Sequence, residues 1–178
     1  MLDILKDIFE NVNNLLKFAE AKNGIIIALN ATVIFGIFKL GVLSLDTSSI
    51  LNWYLYITIF MLLTSLIIAL LSFVPKLKYP YLSFEKPLET DNLLYFGDIA
   101  KYTPTQYKKH CEKIIKLDDK DYQNNCKLTD DYINQIVINS KITFIKFKQF
   151  EIAIWFTLSA ILTPIGGMIL YYSQARNS

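Results

Sequence analysis

Histidine is almost missing from this 178-residue chain. His110 is the only one, so a Ser-His-Asp triad or a Cys-His pair would have to be built on it, and no nucleophile-elbow pattern surrounds any serine. The two cysteines, Cys111 and Cys126, make neither a close pair nor part of a ligand set with metal spacing. The six glycines are scattered and mostly lie in apolar segments, which leaves no glycine-rich phosphate loop. These absences point away from an enzyme and away from a resident metal. His110 reads as a surface histidine on a helix, and the cysteines as ordinary thiols in a reducing compartment.

Charge is scarce in three long runs, 25–45, 53–74 and 152–172, each close to the roughly 20 residues that cross a ~30 Å hydrocarbon core. Only the first holds a charge, Lys39, near one end where a lysine can snorkel to the interface. No Asp or Glu lies in any of the three, which argues against a pump or cation transporter that works through carboxylates at mid-membrane. What is there instead is apolar: 53% hydrophobic residues and a mean hydropathy of +0.32, above the usual soluble domain. The polar content of the runs is mild: Asn30, Thr32, Thr58, Thr64, Ser65, Thr157, Ser159 and Thr163. With Ala28, Gly36, Ala69, Ala153, Ala160, Gly166 and Gly167 they suit close helix contacts, and pore lining is the alternative use. Pro164, Gly166 and Gly167 weaken or kink the third run near its outer half, as a structural bend or a hinge.

The first 22 residues lack the pattern of a secretory signal. Leu5, Ile8, Phe9, Val12, Leu15, Leu16 and Ala19 recur at three- and four-residue steps, so 1–24 is expected to be an amphipathic helix that runs on into the first span. Thirteen of the eighteen Lys and Arg residues fall in 75–151, and none in the short connection 45–52. By the positive-inside bias the amino terminus and the 75–151 insertion face the cytoplasm, and the tail 173–178 faces outward. Acids nearly balance those lysines and the net charge is only +2, so no nucleic-acid-sized basic field is present.

Within the insertion, Pro75, Pro80 and Pro87 bar regular structure until about Leu88. Thr103, Pro104 and Gln106 spell a helix start, with a capping box and with Tyr107, Cys111, Ile114 and Ile115 as the buried stripe. Asp118, Asp119 and Asp121 mark a break, a solvated turn rather than a calcium loop, and a second helix is expected from Thr129. It continues unbroken to Pro164, with Asp131, Gln135, Asn139, Thr143 and Lys146 on one face and Ile136, Ser140, Phe144 and Phe147 on another, both expected to be buried or paired. The expected fold is an all-α membrane protein: a transmembrane hairpin over 25–74, a helical insertion over 75–151, and a third span over 152–172 continuous with a long cytoplasmic helix.

The strings KNGIIIALNA, LSFVPK, NLLYFGDIAKYTPTQY and QIVINSKITFIKFKQF, leading to TPIGGMILYY, occur in that order, and together they resemble the Pycsar effector transmembrane family of bacterial anti-phage defence. The resemblance covers roughly 21–172. It implies a multi-pass effector of the bacterial inner membrane, switched on by a cyclic nucleotide, a cyclic pyrimidine mononucleotide made by a partner cyclase. Homo-oligomers then impair the membrane and stop the infected cell. The matching blocks supply Asn92, Tyr95, Gly97, Asp98, Gln135, Asn139 and Ser140 as polar or small positions that could face the nucleotide, with Tyr95 or Phe96 able to stack on its base. No cyclic-nucleotide-binding barrel is recognisable. The alternatives are a constitutive scaffolding protein, or a small channel with no nucleotide sensor.

Overall fold

The computed structural model describes residues 2–39, 49–74, 84–115 and 119–177, with the side chains at 49–51, 114–115, 119–126, 168, 170–171 and 174–177 outside that description. The described elements are all helical: α1 (Leu2–Lys39), α2 (Ser49–Leu71), α3 (Phe96–Ile99), α4 (Pro104–Ile115) and α5 (Asp119–Asn177). Three of them, α1, α2 and α5, are long and apolar enough to cross a membrane. The chain packs as two compact units. The first comprises Met1–Ala19 and Pro75–Phe147, the second Glu20–Val74 and Lys148–Ser178, so α1 and α5 each belong to both. The 40–48 connection, Pro75 and Pro80, Lys76 and Lys78, Asp118 and the Cys126 side chain lie outside the described residues.

The first unit is built like a small soluble protein. In α1, Leu5, Ile8, Val12 and Ala19 are buried at helical spacing, while Asp3, Lys6, Asp7 and Glu10 stay in solvent. Leu5, Ile8 and Val12 pack with Phe96, Ile99, Tyr102, Tyr107 and Cys111 from the insertion, and with Ile133, Ile136 and Val137 of α5. Each such side chain, fully buried, contributes about 1.5–3 kcal/mol by leaving water. Phe9 meets Tyr132 edge to face, with centroids 5.6 Å apart. The α4 start is a complete capping box: the Thr103 N–H donates to Gln106 Oε1 at 3.0 Å and the Gln106 N–H to Thr103 Oγ1 at 3.3 Å. Ile114 and Ile115, the rest of its expected stripe, have side chains outside the description.

The second unit inverts this arrangement. Beside Ile26 and Leu62 its buried positions are small or polar, with Ala69, Ala153, Ala160, Asn30, Ser65 and Thr157 at 0–1% exposure, whereas Phe35, Trp53, Phe60, Trp155, Leu162 and Ile169 stand 63–69% exposed. Only 17–22% of the three apolar windows is buried, an exterior that water would not tolerate and lipid does. Asn30 on α1, Ser65 on α2 and Thr157 on α5 form one buried hydrogen-bonded cluster. Thr32, Thr58, Thr64 and Thr163 turn their hydroxyls back onto carbonyls four residues earlier, at 2.7–2.8 Å, which satisfies them within their own helices. Of the polar span residues, Asn30, Ser65 and Thr157 thus make packing contacts between helices. Pro164 is accommodated inside α5.

Two expectations change. The last helix starts at Asp119 rather than Thr129, so Asp119 and Asp121 lie inside it, while Asp118, where the expected break begins, is outside the described residues. No proline or glycine interrupts 119–128, and Asp119 and Asp121 occupy the first turn, where the positive end of the helix dipole favours carboxylates. Thr129, ten residues inside the helix, is buried. The face read as wholly buried or paired is also divided: Asp131 and Gln135 are exposed, whereas Asn139 is half-buried and Thr143 fully buried. At that level of α5 the core is served by Ile133, Ile136 and Val137, which point the other way round the helix. The second face holds as expected, with Ile136 and Ser140 buried and Phe144 and Phe147 packed on the core.

Candidate functional site

The block between Pro87 and Tyr102 has little regular structure, so its backbone groups need other partners. Asp91 accepts the Leu88 N–H at 2.8 Å and the Lys101 ammonium at 3.0 Å, and Lys101 also donates to Asp98 at 2.7 Å. The Asn92 N–H reaches Asp98 Oδ2 at 3.1 Å, while Asn92 Oδ1 accepts the Leu94 N–H at 2.9 Å in an Asx turn. Tyr102 and Tyr107 drive their phenols into the block, donating to the carbonyls of Leu88 and Leu93 at 2.9 and 2.8 Å. Hydrogen bonds to Asp98 and Asp91 hold the Lys101 ammonium well above the usual lysine range. Burial pushes the Asp91 carboxyl up, but the Leu88 N–H and Lys101 outweigh it and leave the group below the ordinary aspartate value.

Asn92 and Asp98, expected at a ligand, thus spend polar atoms on holding this block together. Tyr95 is half exposed, with its ring 4.8 Å from that of Phe96. Gly97 lets the ring fold back, since a β-carbon there would lie 2.5 Å from Tyr95 Cε1. On α5, Gln135 is exposed, Asn139 donates to Asn13 Oδ1 on α1 at 2.7 Å, and the Ser140 hydroxyl is fully buried with no hydrogen-bond partner among the described residues. Block and helix meet where Phe96 stacks on Phe147 at 5.3 Å. In the second unit the three expected hinge positions differ. Gly166 has open space around it, whereas Gly167 is buried with the Tyr54 ring 2.7 Å from where its β-carbon would be.

An open cleft of about 640 Å³ lies on the first unit between the 86–89 segment and α4, a feature absent from the sequence-based expectations. Gln106, Lys109, His110 and Lys113 line one wall, Lys86, Pro87 and Glu89 the other, with Tyr102 between them. The spacing of the α4 residues is the signal that would have found it: positions 106, 109, 110 and 113 share the helix face opposite buried Tyr107 and Cys111. Lys113 pairs with Glu89 at 2.9 Å and, chiefly through that hydrogen bond, holds the Glu89 carboxyl below its ordinary value. His110 sits edge-on to Tyr102, with centroids 5.6 Å apart. The neighbouring Cys111 thiol is pushed up to about 11 by burial, so it stays protonated and unreactive. Among the described residues no group of three His, Cys, Asp or Glu side chains is placed to hold a metal.

Comparison with known proteins returns no matching curated protein and no matching solved structure. A family model described as the Pycsar effector protein domain matches residues 4–173, which takes in nearly all of both units, from the α1 stripe to the end of the third apolar run. Members of that family are membrane-associated effectors that work with a cyclic nucleotide made by a partner cyclase. With three membrane-length apolar helices, a lipid-facing exterior and a separately packed polar unit, this chain belongs to the Pycsar effector family, the membrane effectors of a bacterial anti-phage defence.

Proposed function

We propose that this protein rests in the bacterial inner membrane until a cyclic nucleotide, a cyclic pyrimidine mononucleotide supplied by a partner cyclase, binds its first unit and turns the second into a membrane lesion that aborts infection. The observation that carries this reading is the family match over 4–173, which spans the lipid-compatible helices and the polar unit together. The first unit lies on the cytoplasmic side and the carboxyl terminus on the periplasmic side, in keeping with the lysine asymmetry. Several copies associate in the active form, and no chemical step is catalysed. Because α5 belongs to both units, a change that ligand binding makes in the first unit has a helical route to the third span. Among the residues expected to read the nucleotide, Tyr95 and Gln135 are exposed, whereas Asn92, Asp98 and Asn139 spend polar atoms on contacts within the first unit.

The test is purified protein in dye-loaded vesicles challenged with cyclic UMP, cyclic CMP, cyclic AMP and cyclic GMP. Dye release is expected with a cyclic pyrimidine nucleotide and not without one. Equal release in the absence of any nucleotide would favour a constitutive channel, and silence with all four would overturn the reading.

A further inference from the structure

The first unit carries cationic groups that its own fold does not use. Most of the lysines around its core have partners: Lys101 sits between Asp91 and Asp98, Lys108 is 2.7 Å from Asp130, and Lys113 is 2.9 Å from Glu89. Lys86 and Lys109 have no ion pair among the described residues, and both face the 640 Å³ cleft, one from each wall. The same wall of α4 adds His110, a half-exposed ring that can accept a stacking partner. It also adds Gln106. The Oε1 of that amide is taken by the Thr103 N–H, which leaves its Nε2 to donate. Glu89, the one acid among the described residues that line the cleft, is already paired with Lys113.

We infer that this cleft is the nucleotide site, with Lys86 and Lys109 gripping the cyclic phosphate, His110 stacking on the base and the Gln106 amide donating to a base carbonyl. The inference rests on the proposed nucleotide sensing and gives it a location. A cyclic mononucleotide brings one phosphate charge, which two facing ammonium groups match without the larger basic field that a polynucleotide needs. The cleft volume falls within the roughly 300–1,000 Å³ of small-molecule sites. The fold supports the grip: the capping box sets the start of α4, and buried Tyr107 and Cys111 fix which face of the helix turns outward. The Tyr102 phenol, bonded to the Leu88 carbonyl, ties the 86–89 segment beside it.

The full chain in detergent is titrated with the four cyclic nucleotides by equilibrium dialysis, beside the variants Lys86→Ala/Lys109→Ala, Lys109→Glu, Gln106→Ala, Tyr95→Ala and, as a control remote from the cleft, Lys17→Ala. Each replaced lysine is at the surface, and circular dichroism checks that helicity is kept. The double alanine variant is expected to bind at least about tenfold more weakly, equivalent to about 1.4 kcal/mol. Lys109→Glu is expected to bind more weakly still, while Tyr95→Ala and Lys17→Ala stay within about twofold of the parent. Added salt should weaken the parent more than the double variant. Parent-like affinity in the double variant, or loss confined to Tyr95→Ala, would overturn the cleft while leaving nucleotide sensing intact. No binding of any nucleotide by the parent would remove the sensing itself. A final arm measures binding to anionic phosphatidylglycerol vesicles: loss there, with nucleotide affinity unchanged, would reassign Lys86 and Lys109 to lipid headgroups and overturn the inference.

Discussion

The side-chain amide of Asn30 donates to Ser65 Oγ across 2.8 Å, and Thr157 Oγ1 returns a bond to Asn30 Oδ1 at 3.1 Å. Ser65 and Thr157 close the ring at 2.9 Å, with the Ala153 carbonyl within reach of both hydroxyls. Each of the three residues gives one hydrogen and accepts one, so every oxygen of the ring has a partner without water. One member comes from each of α1, α2 and α5, which makes it a tie among all three apolar helices.

Ser65→Ala is therefore expected to destabilise the second unit. Hydrogen bonds between membrane helices average about 0.6 kcal/mol, and an orphaned amide costs a further ~1 kcal/mol or more, so about 1–2 kcal/mol is expected. Detergent unfolding followed by Trp53 and Trp155 fluorescence measures it. An unchanged midpoint would show that the ring adds nothing to stability.

The Pro164 region now separates into a bend and a contact. A methyl at Gly167 meets the Cδ2 and Cγ atoms of Tyr54, the rigid part of that side chain, so Gly167→Ala should cost about 1–3 kcal/mol by overpacking. Gly166→Ala meets open space and is expected to be neutral or slightly stabilising. Pro164→Ala/Gly166→Ala, with Gly167 kept, consequently isolates the hinge. It should bind nucleotide normally yet release little dye, with oligomer mass unchanged. Full ligand-dependent release would leave Pro164 as a static bend.

Asn13 and Asn139 tie α1 to α5 through a 2.7 Å bond in the first unit. If Asn139 serves as that tether, Asn13→Ala and Asn139→Ala should each cost about 1 kcal/mol, and the double variant should fall short of their sum by about 0.5 kcal/mol or more. Nucleotide affinity should move alike in the two. A loss of affinity of roughly fivefold or more in Asn139→Ala alone would make Asn139 a ligand contact instead.

Acid should loosen the block around Lys101. The Asp91 carboxyl titrates below its ordinary value in the folded protein, so its contribution is complete above an unfolded value of about 3.9 and is lost as pH falls through the lowered one. Thermal midpoints followed by near-ultraviolet tyrosine dichroism should fall as pH drops below about 4. Asp91→Asn should start lower and show less of that slope. Parallel curves for the two proteins would remove Asp91 as a source of the acid sensitivity.

Orientation is open to direct measurement. A reporter active only in the periplasm should work when fused after Thr47 or at Ser178 and stay silent after Asp119, because the lysine-rich 75–151 segment resists translocation near its ends. Activity after Asp119 would reverse the topology.

The amino-acid sequence alone determined what composition and periodicity control. Runs near 20 residues long without acids must lie in lipid, the 3.6-residue stripe of Leu5, Ile8 and Val12 must face a core, and Thr103, Pro104 and Gln106 must start a helix, since each follows from local chemistry. Tertiary structure decided the rest, because it depends on partners distant in the chain. Nothing local pairs Asn30 with Thr157, 127 residues away, or Asn13 with Asn139. Nothing local distinguishes Gly167, pressed on Tyr54, from its open neighbour Gly166. Asn92 and Asp98 look like ligand readers in the sequence because their polar atoms look free, and only packing shows those atoms engaged by Leu94, Lys101 and the Asn92 amide. The cleft stayed hidden for the same reason. Lys109, His110 and Lys113 read as an ordinary solvated helix face until the fold brings Lys86 and Glu89 opposite them.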